Sequence, residues 1–289
     1  MRASVLLPQG WLGEYSGWAT PRAFRRAVEV AIRAEELGFE SVWVNDHLTP
    51  EEPIRRAPLL ESFVLLAGVA SATRTIRMGH LVLCAGYRNP GMMLKMITTL
   101  DAASGGRVDL GLGAGWKRDD WVDYGYGYPG VRSRLRTLED HLEMAMALRG
   151  PPPGEKPVRS PGRANPAPTQ EAMPIIVGGN GTEVTWKLAA RYADELNVDG
   201  LLPHELEPLL PVLRSRCEEV GRDPDTLRVS AHYWYGNAAP PGPERVEHLA
   251  AYQAMGVHRV MTLPLGATVG DEALEAYADD ALSAGVELG

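Results

Sequence analysis

The sequence predicts a single α/β domain over residues 1–289, folded as a (β/α)8 TIM barrel. Eight short apolar segments alternate with eight helical segments, which is the order of a parallel sheet joined by helical crossovers. The short segments are apolar without alternation, as is typical of strands that are buried on both faces. The chain length also suits one barrel of this class.

Each strand is predicted from one apolar segment, and each helix from the amphipathic pattern that follows it. The strands are expected at residues 3–7, 41–44, 76–83, 108–113, 174–177, 195–198, 227–235 and 259–263. The helices are expected at residues 21–37, 59–71, 92–103, 132–148, 182–193, 206–220, 244–255 and 272–284. In the first helix, Thr20 is placed to cap the N-terminus, Pro21 suits the first turn, and Gly38 ends the helix.

The segment at residues 150–173 interrupts this alternation. Its prolines, at positions 151, 152, 153, 157, 161, 166 and 168, remove hydrogen-bond donors and prevent a helix. We therefore predict a Pro-rich insertion loop between the fourth helix and the fifth strand. Such a loop is either a mobile cover for a site or a long solvated connection.

Composition excludes several classes of function. Lys plus Arg number 29 against 37 for Asp plus Glu, a net charge of -8, and the basic residues are scattered, so neither nucleic acid nor an anionic membrane is an expected partner. No stretch approaches the ~18 apolar residues that span a bilayer. The two cysteines, Cys84 and Cys217, and the seven dispersed histidines show no metal-ligand spacing. With no apolar signal segment at the start, a reducing cytoplasm is the expected location.

Asp46 and His47 follow the second predicted strand directly, where the carboxyl ends of parallel strands form functional sites. A neutral histidine can take a proton from a substrate hydroxyl or return one, and an aspartate can accept hydrogen bonds from a ligand. The alternative is that Asp46 caps the next segment and His47 bonds a carbonyl. His80 in the third strand is a second candidate, although a histidine in an apolar strand is more often a hydrogen-bonded core residue.

Glycines mark two further strand ends. In residues 110–116, Gly113 and Gly115 would let the backbone approach a flat ligand and Trp116 would offer an aromatic wall, or else the small residues relieve crowding and Trp116 plugs the barrel. After the fifth strand, residues 178–182 suit a phosphate at the start of a helix, or else make a tight turn. Tyr87, Arg88 and Asn89 are expected to make the turn before the third helix.

Taken in order, these motifs resemble the bacterial luciferase-like superfamily, and most closely its actinobacterial branch that uses the deazaflavin coenzyme F-420. The motifs are residues 7–11 (LPQGW), 43–47 (WVNDH), 79–83 (GHLVL), 87–90 (YRNP), 99–107 (TLDAASGGR), 110–116 (LGLGAGW), 177–181 (VGGNG) and 190–194 (ARYAD). Their joint occurrence covers nearly the whole chain and is far more specific than any single motif.

The resemblance implies a homodimeric enzyme and roles for individual residues. His47 would be the acid/base beside the deazaflavin C5, and a non-proline cis peptide between Leu81 and Val82 would support the back of the ring. Asp46, Gly113, Gly115 and Trp116 would contact the coenzyme. The coenzyme phosphate would be held by the glycine corner, that is, by Gly178, Gly179, Asn180 and Gly181.

The resemblance implies hydride transfer between the deazaflavin C5 and a small organic substrate. Related sugar and alcohol dehydrogenases carry a glutamate just after the glycine run of strand four, where this chain has Trp116, Lys117 and Arg118, so their substrates cannot be assigned to it. Three other functions stay open: an FMN-dependent monooxygenase, a non-catalytic flavin or deazaflavin carrier, and a barrel enzyme that binds a sugar phosphate without a redox cofactor.

Overall fold

A closed parallel sheet forms the centre of this computed structural model, which describes residues 1–51, 53–54, 56–149, 164–234, 236 and 238–289. The strands are β1 (Arg2–Leu6), β2 (Ser41–Val44), β3 (Arg77–His80), β4 (Leu83–Cys84), β5 (Val108–Gly113), β6 (Ile175–Gly178), β7 (Glu195–Asp199), β8 (Arg228–His232) and β9 (Arg259–Thr262). They pair in the order β3-β2-β1-β9-β8-β7-β6-β5-β4, and a β3–β5 pairing closes the ring. The predicted (β/α)8 barrel is thereby confirmed.

Helices flank the barrel. They are α1 (Thr20–Leu37), α2 (Ser62–Ala72), α3 (Pro90–Ser104), α4 (Arg118–Asp123), α5 (Val131–Ala145), α6 (Thr185–Tyr192), α7 (Pro203–Leu206), α8 (Leu210–Glu219), α9 (Pro243–Ala254) and α10 (Glu272–Ser283). Within the described residues, no helix combines the length and apolar character needed to cross a membrane.

The third barrel strand is divided into β3 and β4. The peptide bond between Leu81 and Val82, which lies between the two pieces, is cis. The continuous strand predicted at residues 76–83 is therefore wrong, whereas the cis peptide expected at this bond is present.

Several helix ends differ from the prediction. The N-cap of α1 is Ala19, which makes no side-chain cap, so the capping role predicted for Thr20 is wrong, while Pro21 does lie in the first turn and Gly38 ends the helix at φ +88°. The predicted helix at residues 206–220 is observed as α8 alone, because residues 207–209 form a 3-10 turn and α7 precedes them. The sequence did not predict α4, because six residues are too few to show a helical period.

The Pro-rich insertion loop lies partly outside the described residues, which exclude 150–163. Residues 164–173 contain no helix or strand, as predicted. Near its end, Thr169 N–H and Gln170 Nε2 donate to the Asp101 carboxylate over 2.6 and 2.7 Å, and Gln170 also donates to the carbonyl of Val108 at the start of β5. This part of the loop is thus anchored at the amino ends of the strands, away from His47.

Buried charges fill the amino end of the barrel. Arg259, whose side chain is 3% exposed, lies 3.2 Å from a carboxylate oxygen of Asp109, 3.2 Å from one of Glu195 and 3.4 Å from one of Glu40. Its guanidinium carbon also lies 5.2 Å from the centre of the Trp43 ring. Burial raises the pKa of Glu195, although the Arg259 charge opposes this. Arg259 is thus the cation that three buried acids share, and each acid also lies beside a second, more exposed arginine: Arg77 for Asp109, Arg2 for Glu40 and Arg228 for Glu195.

His80 lies in the core at the end of β3. It is fully buried, and neither ring nitrogen has a hydrogen-bond partner among the described residues. Its ring packs 4.4 Å from that of Phe63. Burial, together with the charge of Arg88, lowers its pKa well below the ordinary value. The core position is as predicted, whereas the expected hydrogen bond is wrong.

Replacing His80 with Leu is expected to raise the free energy of unfolding by about 1–2 kcal/mol at pH 7, because a buried imidazole without hydrogen bonds is removed. The unfolded chain protonates this histidine below about pH 6.5 while the folded protein does not, so the native protein loses stability as the pH falls. Between pH 6 and 5, the free energy of unfolding should therefore fall more steeply for the native protein than for the variant, by up to ~1.4 kcal/mol per pH unit. Urea unfolding at pH 7, 6 and 5 measures this, and identical pH dependence in the two proteins would contradict it.

Candidate active site

A cleft of about 750 Å³ opens at the carboxyl ends of the strands. The structure brings most of the predicted site residues together here. Those that line the cleft are Asp46, His47, Leu81, Val82, Gly113, Gly115, Trp116, Gly178 and Gly179. Asn180 and Gly181 lie in the adjoining corner and do not line it. Residues far apart in the chain thus converge on one site.

His47 is held by a buried carboxylate. Its Nδ1 lies 2.7 Å from Asp120 Oδ2, and Asp120 is fully buried. Thr49 donates to the other oxygen, Asp120 Oδ1, from its amide over 2.8 Å and its hydroxyl over 2.5 Å. Burial raises the pKa of Asp120, but the hydrogen bonds from His47 and Thr49 outweigh this, so the pKa is lowered. Asp120 is therefore ionised and accepts the Nδ1 proton, which makes Nε2 the nitrogen that can accept a proton.

Two tryptophans orient the imidazole. Trp11 stacks on His47 with the ring centres 4.5 Å apart and the planes 10° apart. Trp116 meets the same imidazole edge-on at 5.6 Å and is 60% exposed, so the suggestion that it plugs the barrel is wrong. The aromatic wall predicted from Trp116 is present, and Trp11 adds a second one.

Asp46 is almost wholly engaged within the protein. Arg88 donates to both of its oxygens over 2.6 and 2.9 Å, Ser62 Oγ donates over 2.8 Å, and the amide of Cys84 donates over 3.0 Å. From the sequence, Arg88 was expected only to form the turn before the third helix. The structure shows that it is also the ion-pair partner of Asp46. This bidentate ion pair fixes Asp46 just beyond the end of β2, and thereby the position of the neighbouring His47.

The wall behind the cleft is built around Val82. A Cβ on Gly113 would lie 2.6 Å from Val82 Cγ2, and one on Gly178 would lie 2.9 Å from Val82 Cγ1. Only glycine leaves room for the valine at these positions. The alternative that small residues relieve crowding is therefore correct for Gly113.

The glycine corner is largely committed to internal bonds. Gly179 N–H donates to the carbonyl of Asn197 over 3.0 Å, and the Asn180 amide donates to the carbonyl of Asp199 over 2.7 Å. The helix that follows begins only at Thr185. A phosphate bound at this corner would need the amides of residues 180–182 or the Thr185 hydroxyl.

The sequence did not identify four residues of the cleft and its surroundings: Trp11, Asp120, Asp199 and His232. His232 Nδ1 lies 2.7 Å from Asp199 Oδ1, so a second histidine–aspartate pair faces the cleft. Both residues end a strand in the structure. Of the two, only Asp199 directly follows a predicted strand, which is the signal that marked Asp46 and His47. Among the described residues, no group of three or more His, Cys, Asp or Glu side chains is placed to hold a metal.

Known proteins resemble this chain over most of its length. The family model for luciferase-like monooxygenases matches residues 1–239. An F-420-dependent glucose-6-phosphate dehydrogenase of Nakamurella multipartita is 31% identical over 207 residues, which cover 69% of this chain and 60% of that protein. An uncharacterized protein of Mycobacterium tuberculosis is 32% identical over 182 residues, which cover 56% of this chain and 63% of that protein. The match therefore spans about three fifths of these relatives.

The fold also resembles solved structures. An F-420-dependent secondary alcohol dehydrogenase, solved with an F-420–acetone adduct, superposes with a TM-score of 0.78 over 98% of both chains at 17% identity. At that identity the likeness shows the fold alone.

Proposed function

Because the chain belongs to the luciferase-like monooxygenase family, we propose that it is an oxidoreductase that transfers a hydride between C5 of coenzyme F-420 and a small organic substrate. The observation that carries this proposal is the His47–Asp120 pair, which faces the same cleft as the cis peptide between Leu81 and Val82. The names of its F-420-dependent relatives support the choice of coenzyme.

The cleft fits a flat heterocycle. Its volume of about 750 Å³ is within the range of cofactor sites. The cis peptide and Val82 form one wall, which Gly113 and Gly178 allow to approach closely. When bound, the deazaflavin supplies or accepts a hydride at C5. It carries carbon where a flavin has N5, which favours hydride over oxygen chemistry.

The protein contributes the proton step. Asp120 accepts Nδ1–H of His47 and stabilises the imidazolium when it forms. His47 Nε2 takes the proton of a substrate hydroxyl during oxidation and returns it during reduction. Stacking on Trp11 holds the ring in place, so that the proton is exchanged at one position in the cleft.

Titration of the purified protein with F-420 and with FMN tests this proposal, with coenzyme fluorescence as the readout. F-420 is expected to bind saturably and to be reduced by a panel of secondary alcohols. Gly113→Val, which crowds Val82, should abolish binding, whereas the control Gly130→Val, where a Cβ meets nothing within 4 Å, should not. Circular dichroism checks that both variants fold. Tight binding of FMN and none of F-420 would instead favour the monooxygenase, and F-420 binding without turnover would favour a carrier.

A further inference from the structure

The second histidine–aspartate pair has the same hydrogen-bond distance as the first, although the side chain of Asp199 is 58% exposed and that of Asp120 is buried. The Nδ1···O separation is 2.7 Å both between His232 and Asp199 and between His47 and Asp120. Asp199 and His232 are register partners at the ends of β7 and β8. Both side chains line the cleft, yet the proton step described above uses neither of them.

The pair is held rigidly by the backbone around it. Asn180 donates to the carbonyl of Asp199 over 2.7 Å and accepts from the amide of Asp199 over 2.9 Å. The amide of Gly200 donates to the carbonyl of His232 over 3.0 Å. Asn180 of the glycine corner therefore fixes the backbone that carries Asp199.

Charge fixes the tautomer of His232. Burial raises the pKa of Asp199, but the hydrogen bond from His232 and the charges of His232 and His47 outweigh it, so the pKa is lowered. Asp199 thus accepts Nδ1–H, and Nε2 of His232 becomes the acceptor for a ligand. His47 and His232 both line the cleft, so the two imidazoles face one ligand space.

The lining of the cleft disfavours an anionic substrate. Among the described residues, Lys117 is the one lysine or arginine in this lining, and its ammonium donates to the carbonyl of Thr49 over 2.9 Å and lies 3.6 Å from Glu51. The three carboxylates in the same lining also have partners: Asp46 pairs with Arg88, Asp199 with His232, and Glu51 lies beside Lys117. A phosphate ester on the substrate would therefore find its only lining cation among the described residues already engaged.

We propose that His232 binds a hydroxyl group of the substrate through Nε2, and that the substrate is an uncharged compound with two neighbouring oxygen functions, such as a vicinal diol. This inference rests on the proposed function. In oxidation, the hydride of one carbinol carbon passes to the coenzyme, its hydroxyl proton passes to His47 Nε2, and a carbonyl forms. The second hydroxyl donates to His232 and is unchanged.

The F-420-loaded protein can be assayed with cyclohexanol and with trans-cyclohexane-1,2-diol, which differ by one hydroxyl group. We expect kcat/KM to be about tenfold higher for the diol, the effect of one hydrogen bond in a desolvated site. His232→Phe should bring the ratio of the two kcat/KM values close to one, because the loss falls mainly on the diol, and His232→Gln should retain part of the preference. His204→Phe, at an exposed histidine of α7, is the control and should change neither rate.

Equal kcat/KM for the two alcohols in the native protein would overturn the inference. So would an equal loss with both alcohols in His232→Phe, turnover of neither, or a preference for glucose 6-phosphate over both. F-420 binding is measured first in every protein, so that failure to bind the coenzyme counts against the proposed function and not against the role of His232.

Discussion

Replacing His47 with Ala should lower F-420-dependent turnover by about 100-fold or more, because the proton of the substrate hydroxyl then has no positioned acceptor. The assay uses the secondary alcohol that the native protein oxidises fastest. Affinity for F-420, measured by fluorescence titration, should change much less than kcat. A loss confined to kcat would identify His47 as the acid/base and not as a binding residue.

Asp120→Asn is the companion variant. It keeps the size of the side chain but removes the charge that fixes the Nδ1–H tautomer and stabilises the imidazolium, so a loss of about tenfold or more is expected. His204→Ala, outside the cleft, is the control. If His47→Ala turned over at the native rate, His47 would not be the acid/base, whatever rate Asp120→Asn gives.

Replacing Arg259 with Leu should lower the free energy of unfolding by about 3 kcal/mol, because Asp109, Glu195 and Glu40 would lose the buried cation that they share. Each would keep only its more exposed partner, Arg77, Arg228 or Arg2. Urea unfolding followed by circular dichroism measures the loss. Arg259 lies at the amino end of the barrel, opposite the cleft, so the folded variant should still bind F-420.

Two further variants separate charge from packing at this position. Arg228→Leu is the control: its side chain is 39% exposed and lies 3.6 Å from Glu195, so a loss below about 1 kcal/mol is expected. Adding Glu195→Gln to Arg259→Leu removes one buried carboxylate that has lost its nearer arginine and should recover part of the stability. A loss below about 1 kcal/mol for Arg259→Leu alone would show that the buried network is energetically neutral.

The barrel was predictable because strands buried on both faces must be apolar along their whole length, and that pattern is visible in the sequence. Helix ends were less predictable: at α1 the chain uses Ala19 without a side-chain cap in place of the expected Thr20. The break between β3 and β4 was not visible as a pattern, because the apolar run continues through it.

The site was predictable only in part. His47 could be found because it follows a strand directly, whereas Asp120 lies 73 residues further along the chain, in a helix too short to show a period. His232 was hidden because the predicted seventh strand ran on to residue 235, which placed His232 inside the strand, whereas the observed strand β8 ends at His232. The pairs His47–Asp120 and His232–Asp199 form only when the barrel closes, so the local pattern of the sequence does not predict them.

The two members of the His47–Asp120 pair come from different segments of the molecule. The loop that follows β2 supplies the imidazole, and its carboxylate comes from α4, six residues between β5 and α5. Replacing α4 with the corresponding segment of a related chain would change the partner of His47, and with it the proposed proton transfer, without changing the barrel. Acid–base behaviour is therefore modular here, and loop grafting offers a direct way to diversify it.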